Sequence, residues 1–278
     1  MTDDLADDWS SADPADRAAE IDTTVAHPAR VYDYWLGGKD NYAADREAAE
    51  RVIALRPNMR RDIREHRAFL RRAVRHLAAQ EGIRQFLDVG TGIPTSPNVH
   101  EVVQEVAPDA RVVYVDNDPI VLVHARALLT STPQGLTDYL DADLRRPDEI
   151  VRQAARTIDF TRPVAVVVVG TLHLIGDDED PYGIVASLMA ATVPGSYLVI
   201  SHPASDIDAE VMAESARQYN QHVATPQTRR SRGEVARFTD GLAVVEPGIV
   251  QHHRWRPADG EAAGDYEVPG WSAVGRKL

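Results

Sequence analysis

The chain of 278 residues has no cysteine and no apolar run long enough to cross a membrane, which takes about 18 residues. The missing cysteines exclude disulfides and thiolate metal sites, and we predict no metal site. The first residues are acidic, unlike the basic start of a secretory signal peptide. We therefore expect a cytoplasmic protein with no membrane span.

Basic residues are also scarce. The chain has 30 lysines and arginines against 43 acidic residues, a formal net charge of −13. Such an excess of negative charge disfavours binding to nucleic acid or to an anionic membrane surface. Hydrophobic residues make up 44% of the chain, a fraction typical of globular proteins. We expect a small-molecule partner, and the composition leaves the oligomeric state open.

The most informative stretch is residues 84–95. Its apolar part, around Leu87 and Val89, predicts a buried strand that ends at Gly90-Thr91-Gly92. Glycine lets the backbone turn sharply and approach a ligand because it has no Cβ. An amphipathic run over residues 98–106 predicts the following helix. A strand, a glycine turn and a helix in this order place a polar ligand at the carboxyl edge of a parallel sheet.

Asp88 lies two residues before the first glycine and puts a carboxylate beside this turn. A carboxylate suits a ligand with an ammonium group or ribose hydroxyls and opposes a pyrophosphate. The stretch also departs from two known patterns. The dinucleotide fingerprint has a third glycine where Thr95 stands, and the common methyltransferase pattern has one where Pro94 stands. The turn alone therefore does not identify the ligand.

A second strand end carries further acidic residues. Residues 111–115 predict a buried strand that leads into Asp116 and Asn117, and Asp116 stands 24 positions after Gly92. At this place a carboxylate can accept hydrogen bonds from both hydroxyls of a ribose. The alternative is a helix N-cap, which Asp118 can supply without Asp116. We predict that Asp116 and Asn117 belong to a nucleoside site.

Two more strand ends complete the predicted edge. The third strand leads into Asp143 and Leu144, where the carboxylate can accept from an adenine amine and the leucine can pack on the ring. Residues 164–169 are apolar and mostly β-branched, which indicates a central strand of a parallel sheet, and Gly170 follows. The strand ends together predict an α/β, Rossmann-like fold.

Two histidines follow strands and are candidate general bases. His173 comes after the central strand, and His202 ends the fifth strand. A positioned histidine can accept a proton from a reacting oxygen or nitrogen. Either residue can equally be a hydrogen-bonded part of the scaffold.

The chain is expected to have three parts. Residues 1–24 form a disordered acidic tail, residues 25–80 an N-terminal helical segment, and residues 81–278 the ligand-binding core. The helical segment is either a hairpin packed on the core or a lid over the ligand site. In the lid interpretation three polar side chains face the ligand: Arg30, Lys39 and Asn41.

The third helix of this segment spans residues 58–80. Its apolar side includes His66, which we expect to be a packed, hydrogen-bonded histidine. Its other side predicts a solvated arginine face or a docking site for an acidic partner. This arginine face consists of Arg60, Arg64, Arg67, Arg71 and Arg75.

These patterns together resemble the class I S-adenosylmethionine-dependent methyltransferases. More narrowly, the chain resembles an actinobacterial-type S-adenosyl methyltransferase family, formerly a domain of unknown function. The resemblance covers roughly residues 25–278, and Pro94 departs from the general class pattern. The similar motifs are HPARVYDYWLGGKDNY at 27–42, FLDVGTG at 86–92, YVDNDP at 114–119 and PGSYL at 194–198.

The resemblance implies a seven-stranded, mostly parallel sheet with helices on both faces. It also implies bound S-adenosylmethionine, S-adenosylhomocysteine as product, and an acceptor that it does not name. The aromatic side chains of Tyr34, Trp35 or Tyr42 can then face the sulfonium. Two alternatives stay open: a protein that binds the cofactor without catalysis, and an NAD-dependent oxidoreductase.

Overall fold

The computed structural model describes residues 22–121, 124, 131–223, 225–257 and 264–278. Residues 1–21 of the expected tail lie outside these ranges. So do most of residues 119–129, where the amino-acid pattern predicts a helix; helical residues begin at 119. The described strands are β1 (Gln85–Val89), β2 (Arg111–Asp116), β3 (Leu136–Asp141), β4 (Ala165–Val169), β5 (Tyr197–Pro203), β6 (Leu242–Val244), β7 (Val250–Gln251) and β8 (Gly270–Lys277).

These strands form one mixed sheet in the order β3-β2-β1-β4-β5-β8-β6, with the two-residue β7 paired to β8. Strands β1 to β5 are parallel to one another. Strand β8 runs antiparallel to β5, β6 and β7. The α/β fold with a mostly parallel sheet is therefore confirmed, and β7 adds a short eighth strand to the seven predicted.

Helices cover both faces of the sheet. No helix in the described part of the chain is long and apolar enough to cross a bilayer. The described helices are α1 (Pro28–Leu36), α2 (Ala43–Leu55), α3 (Met59–Ala79), α4 (Val99–Val106), α5 (Pro147–Ala154), α6 (Pro181–Ala190), α7 (Ala209–Asn220) and α8 (Arg232–Ala236).

The core consists of two apolar layers, one on each face of the sheet, because side chains alternate in direction along each strand. Successive side chains point to opposite faces of a strand. Leu87 and Val89 of β1 accordingly pack in one layer with residues of α5 and α6. Phe86 packs in the other layer with residues of α3 and α4. Asp88 shares the face of Phe86, which turns its carboxylate toward the side of the sheet covered by α3.

The N-terminal helices are held together by a buried ion pair. The Asp45 carboxylate is fully buried, and Arg30 Nε lies 3.0 Å from its Oδ2. The same carboxylate accepts hydrogen bonds from the backbone N–H groups of His27 and Tyr42. Because these partners come from both sides of the turn between α1 and α2, Asp45 fixes how the two helices meet.

We predict that Arg30→Ala lowers the free energy of unfolding by about 3 kcal/mol, because it leaves a buried carboxylate without its cation. The matched control is Arg51→Ala. Arg51 pairs with Glu47 one turn away at the surface, with side chains 44% and 68% exposed, and such pairs contribute less than about 1 kcal/mol. Urea unfolding followed by circular dichroism measures both. Equal losses in the two variants would contradict this role of Arg30.

Candidate functional site

A cavity of about 200 Å³, here called the main cavity, opens at the carboxyl ends of the parallel strands. It lies where the strand order reverses between β1 and β4, the usual place for a ligand in such sheets. Most of the predicted site residues meet there: Asp88, Gly90, Thr91, Gly92, Asp116, Asn117, Asp143, Leu144, Gly170 and His173.

The glycine turn after β1 is tied to the end of β2. Gly90 has φ 75° and Gly92 has φ 66°, a region that favours glycine. Gly90 N–H donates to the Val115 carbonyl at 2.8 Å, and Gly92 N–H donates to Asp116 Oδ2 at 2.8 Å. A Cβ on Gly90 would lie 2.1 Å from Thr171 Oγ1. The turn therefore requires glycine at 90 for both conformation and space.

Two carboxylates in the main cavity have no salt bridge to any described residue. Burial raises the pKa of Asp88 to about 7; the charge of Arg67 opposes this rise, and the nearby Asp116 charge adds to it. Burial also raises the pKa of Asp116 to about 6, although the N–H groups of Gly92 and Asp118 favour its charged form. The two acids therefore titrate near neutral pH and present negative charge that a cationic or hydroxylated ligand would stabilise.

The third strand end contributes a polar loop beside a buried apolar residue. Asn117 Nδ2 donates to Asp143 Oδ2 at 3.3 Å, and the N–H of Arg145 donates to Asp143 Oδ1 at 2.9 Å. Leu144 is buried at the cavity wall. Asp143, Leu144 and Asn117 thus lie together, as the strand order predicts.

A chain of hydrogen bonds forms the wall of the cavity near Gly170. His66 Nδ1 is 2.8 Å from Tyr32 Oη, and its Nε2 is 2.7 Å from Ser201 Oγ. Gly170 N–H donates to the same hydroxyl at 2.9 Å. Burial lowers the pKa of His66 to about 4, so the ring is neutral. His66 is a packed, hydrogen-bonded histidine, as expected, and it also lines the main cavity.

The two candidate bases differ in what their ring nitrogens do. His202 Nδ1 donates to the Pro203 carbonyl, and its Nε2 accepts from Arg230 Nη1 at 2.8 Å. Burial lowers its pKa to about 3, and it does not line the main cavity. Both ring nitrogens of His202 are thus engaged within the fold, although its side chain lines the smaller neighbouring cavity described below. His173 lines the cavity, and its buried Nδ1 has no partner in the described structure.

Four residues that were expected to bind the cofactor do not line the main cavity: Arg30, Tyr34, Lys39 and Asn41. Arg30 is committed to Asp45, and Asn41 Nδ2 donates to the buried carboxylate of Asp33. Tyr34 Oη donates to Glu50 at 2.6 Å, and Lys39 is exposed. The polar groups of this segment satisfy one another. Its cavity lining comes instead from His27, Pro28, Ala29, Tyr32 and Trp35.

Arg67 is a cavity residue that the sequence analysis assigned to a solvated helix face. Its Nη2 donates to the carbonyls of Thr95 and Pro97, at 2.6 Å and 3.3 Å. Its buried Nε has no hydrogen-bond partner, and within the described residues no carboxylate forms a salt bridge with it. Arg67 therefore brings a guanidinium into the cavity that contains Asp88.

A second space of about 100 Å³, here called the side cavity, adjoins the main cavity. The two share the lining residues Tyr32, Trp35, His66, Gly170 and His173. Much of the remaining wall of the side cavity is apolar, with Val52, Met59, Ile63 and Val268 among its residues. A second ligand there would meet the first ligand across Gly170 and His173.

Comparisons with known proteins identify the family. A family model described as S-adenosyl methyltransferase matches residues 14–278. A DUF574 family protein from Streptomyces avermitilis is 46% identical, with 92% of this chain and 99% of that chain covered and a TM-score of 0.87. A Thermobifida fusca protein, solved as a candidate methyltransferase, is 39% identical, with 92% and 96% covered and a TM-score of 0.85. The chain belongs to the S-adenosyl methyltransferase family.

More distant structures share the fold alone. The mitomycin 7-O-methyltransferase MmcR is 18% identical, with 96% of this chain and 74% of that chain covered and a TM-score of 0.51. No curated protein matches the chain. The family resemblance is therefore confirmed, together with S-adenosylmethionine as the cofactor and methyl transfer as the activity. The NAD-dependent oxidoreductase alternative receives no support.

We predict that Asp88→Asn stabilises the ligand-free protein above pH 7. Since the folded pKa is raised to about 7 from 3.8, the wild type loses stability as pH rises from 4 to 7. The variant escapes this loss, so the difference in unfolding free energy should grow to about 1–3 kcal/mol and then level off. Urea unfolding at several pH values measures it. The exposed Asp240→Asn should show no such trend, and a variant less stable than wild type at pH 8 would contradict the assignment.

Proposed function

We propose that this methyltransferase acts on a small molecule and methylates an oxygen or nitrogen atom held in the side cavity. The observation that carries the proposal is the pair of carboxylates of buried Asp88 and half-buried Asp116, which line the main cavity without a salt bridge among the described residues. S-adenosylmethionine offers them two ribose hydroxyls, an ammonium and a sulfonium. The adjoining side cavity then leaves room for an acceptor beside Gly170.

The nucleoside end of the cofactor fits the loops after β2 and β3. Asp116 is engaged by two backbone N–H groups, but each carboxylate oxygen accepts more than one hydrogen bond, so it can still accept from ribose. Asn117 lies beside it. Asp143 can accept from the adenine amine, and buried Leu144 offers an apolar surface to the ring. This division of roles follows the order of the strands.

The amino-acid end of the cofactor fits Asp88 and Arg67. Asp88 would hold the ammonium group, and Arg67 would bind the carboxylate through donors that include its unpartnered Nε. Gly90 and Gly170 line the same cavity, and a side chain at either position would collide with Thr171 or approach His66, so both positions require a residue without a Cβ. When bound, the cofactor supplies an electrophilic methyl carbon on a positively charged sulfur.

In this proposal His173 accepts a proton from the acceptor. It lines both cavities. Burial holds the pKa of His173 well below its usual range, so the imidazole is neutral and its nitrogen lone pair is available. Alignment of acceptor, methyl carbon and sulfur supplies most of the rate in such a displacement. A proton acceptor then adds to it.

The alternative is a protein that binds S-adenosylmethionine as a sensor without turnover. The side cavity favours catalysis over sensing, because it adjoins the main cavity at His173, whose buried Nδ1 has no hydrogen-bond partner. A sensor needs no second ligand space at that point. A separate question is whether the enzyme methylates small molecules or macromolecules. The kind of molecule that receives the methyl group answers it.

The test uses the full chain with methyl-labelled S-adenosylmethionine and three acceptor pools: small metabolites below about 1 kDa, total RNA, and protein. We expect label in the small-metabolite pool together with release of S-adenosylhomocysteine. Asp88→Asn is the control, since it should remain folded yet lose at least about tenfold in cofactor affinity as a charge-assisted contact disappears. Label confined to RNA or protein would overturn the small-molecule proposal. Cofactor binding without any labelled product would favour the sensor.

The roles of the two histidines predict opposite results in a matched pair of variants. His173→Gln should lower the turnover rate about a hundredfold while cofactor affinity changes little. His202→Gln should mainly lower thermal stability, because it disturbs the buried contact with Arg230. Calorimetry gives the affinities, and release of S-adenosylhomocysteine gives the rates. Unchanged turnover in His173→Gln would remove this residue as the base.

A further inference from the structure

Arg229 is a guanidinium at the side cavity that lacks a charge partner. Its Nη1 donates to the Met212 carbonyl and, at 2.9 Å, to Ser215 Oγ in α7. Its Nε is buried without a hydrogen-bond partner. Across the described chain, no carboxylate lies within ion-pair distance of it. A buried donor left unpaired costs free energy unless a ligand supplies the acceptor.

The charges around the side cavity do not balance. Arg56 is also at the wall, but its Nη2 is 2.9 Å from Asp62 Oδ2. Asp62 in turn is shared with Arg61 at 2.9 Å, so it has no spare charge for Arg229. Burial and the neighbouring Arg56 lower the pKa of Arg229 to about 9, which still leaves it charged at neutral pH. The unpaired positive charge at the side cavity contrasts with the net charge of −13 of the whole chain.

The histidines nearby cannot supply a negative charge and are themselves neutral. Burial lowers the pKa of His66 to about 4 and that of His202 to about 3. Arg229 contributes to the lowered pKa of His173. An anion bound at Arg229 would offset this effect and make His173 a better proton acceptor. Substrate charge and base strength are therefore coupled through Arg229.

We propose that the methyl acceptor is a carboxylic acid with an apolar body, and that Arg229 binds its carboxylate in the side cavity. The inference rests on the proposed function and names the acceptor class for the same site. With Nη1 engaged, the remaining donors of the guanidinium are left for a carboxylate, which they can meet through charge-assisted hydrogen bonds. The apolar wall of Val52, Met59 and Ile63 takes the body of the acid. This arrangement sets the reacting atom apart from the carboxylate.

The experiment measures calorimetric binding of matched acids and amides to the full chain saturated with S-adenosylhomocysteine. The probes are 4-hydroxybenzoate and 3-phenylpropanoate, each compared with its uncharged amide. In the wild type we expect at least one acid to bind at least tenfold more tightly than its amide. Arg229→Gln should abolish this preference, Arg229→Lys should restore part of it, and the exposed Arg152→Gln should keep it in full.

Binding of S-adenosylhomocysteine is measured in the same samples. We expect it to stay within twofold in Arg229→Gln, which shows that the variant is folded. Amides that bind as well as the acids, acids that do not bind, or a preference that survives Arg229→Gln would each overturn the acid assignment. None of these outcomes would contradict cofactor binding in the main cavity. A wild type that fails to bind S-adenosylhomocysteine would instead overturn the proposed function itself.

Discussion

The site depends on the Asp116 carboxylate, which joins the glycine turn after β1 to the end of β2. It accepts one N–H from Gly92 and one from Asp118, both close to 3 Å. These bonds favour the charged form, yet burial outweighs them and raises the pKa to about 6. The carboxylate is therefore kept near the point where hydrogen bonds from a ligand decide its charge. The Asp116 carboxylate thus shapes the turn, and its charge also depends on whether a ligand occupies the cavity.

Charged residues that stabilise the fold form ion pairs, whereas several charged residues at the cavities do not. Arg30 with Asp45, and Arg230 with Asp177, are neutralised within the fold. Asp88, Arg67 and Arg229 form no salt bridge among the described residues; the charge of Arg67 offsets only part of the effect of burial on Asp88, and burial makes each charge expensive. Stability alone would favour apolar groups at these positions. A ligand that carries the complementary charges gives a physical reason for all three.

The sequence predicts what is local and misses what depends on the packing of distant segments. Helix and strand positions, and the acids at Asp88, Asp116 and Asp143, follow from periodicity and from parallel strand ends meeting at one edge. Arg67 looks like its neighbours on α3, and only the way that helix lies on the sheet brings it into the cavity. His202 looks like a free base until Arg230, 28 residues away, takes its nitrogen. Arg30, Tyr34 and Asn41 form pairs within the N-terminal segment. The directions of their side chains, which the sequence does not give, decide their partners.

The main cavity has two carboxylates and one guanidinium without a salt bridge, whereas the unpaired group at the side cavity is the guanidinium of Arg229, and this difference sorts their ligands. Two acids at the main cavity oppose a pyrophosphate and favour a sulfonium with an ammonium group, which agrees with the family. Arg229 at the side cavity favours an anion. The two cavities adjoin at Gly170, His66 and His173, which line both. Opposite charges on either side of Gly170 would draw a cationic donor and an anionic acceptor to their own places, so that the methyl group and its acceptor atom meet beside His173.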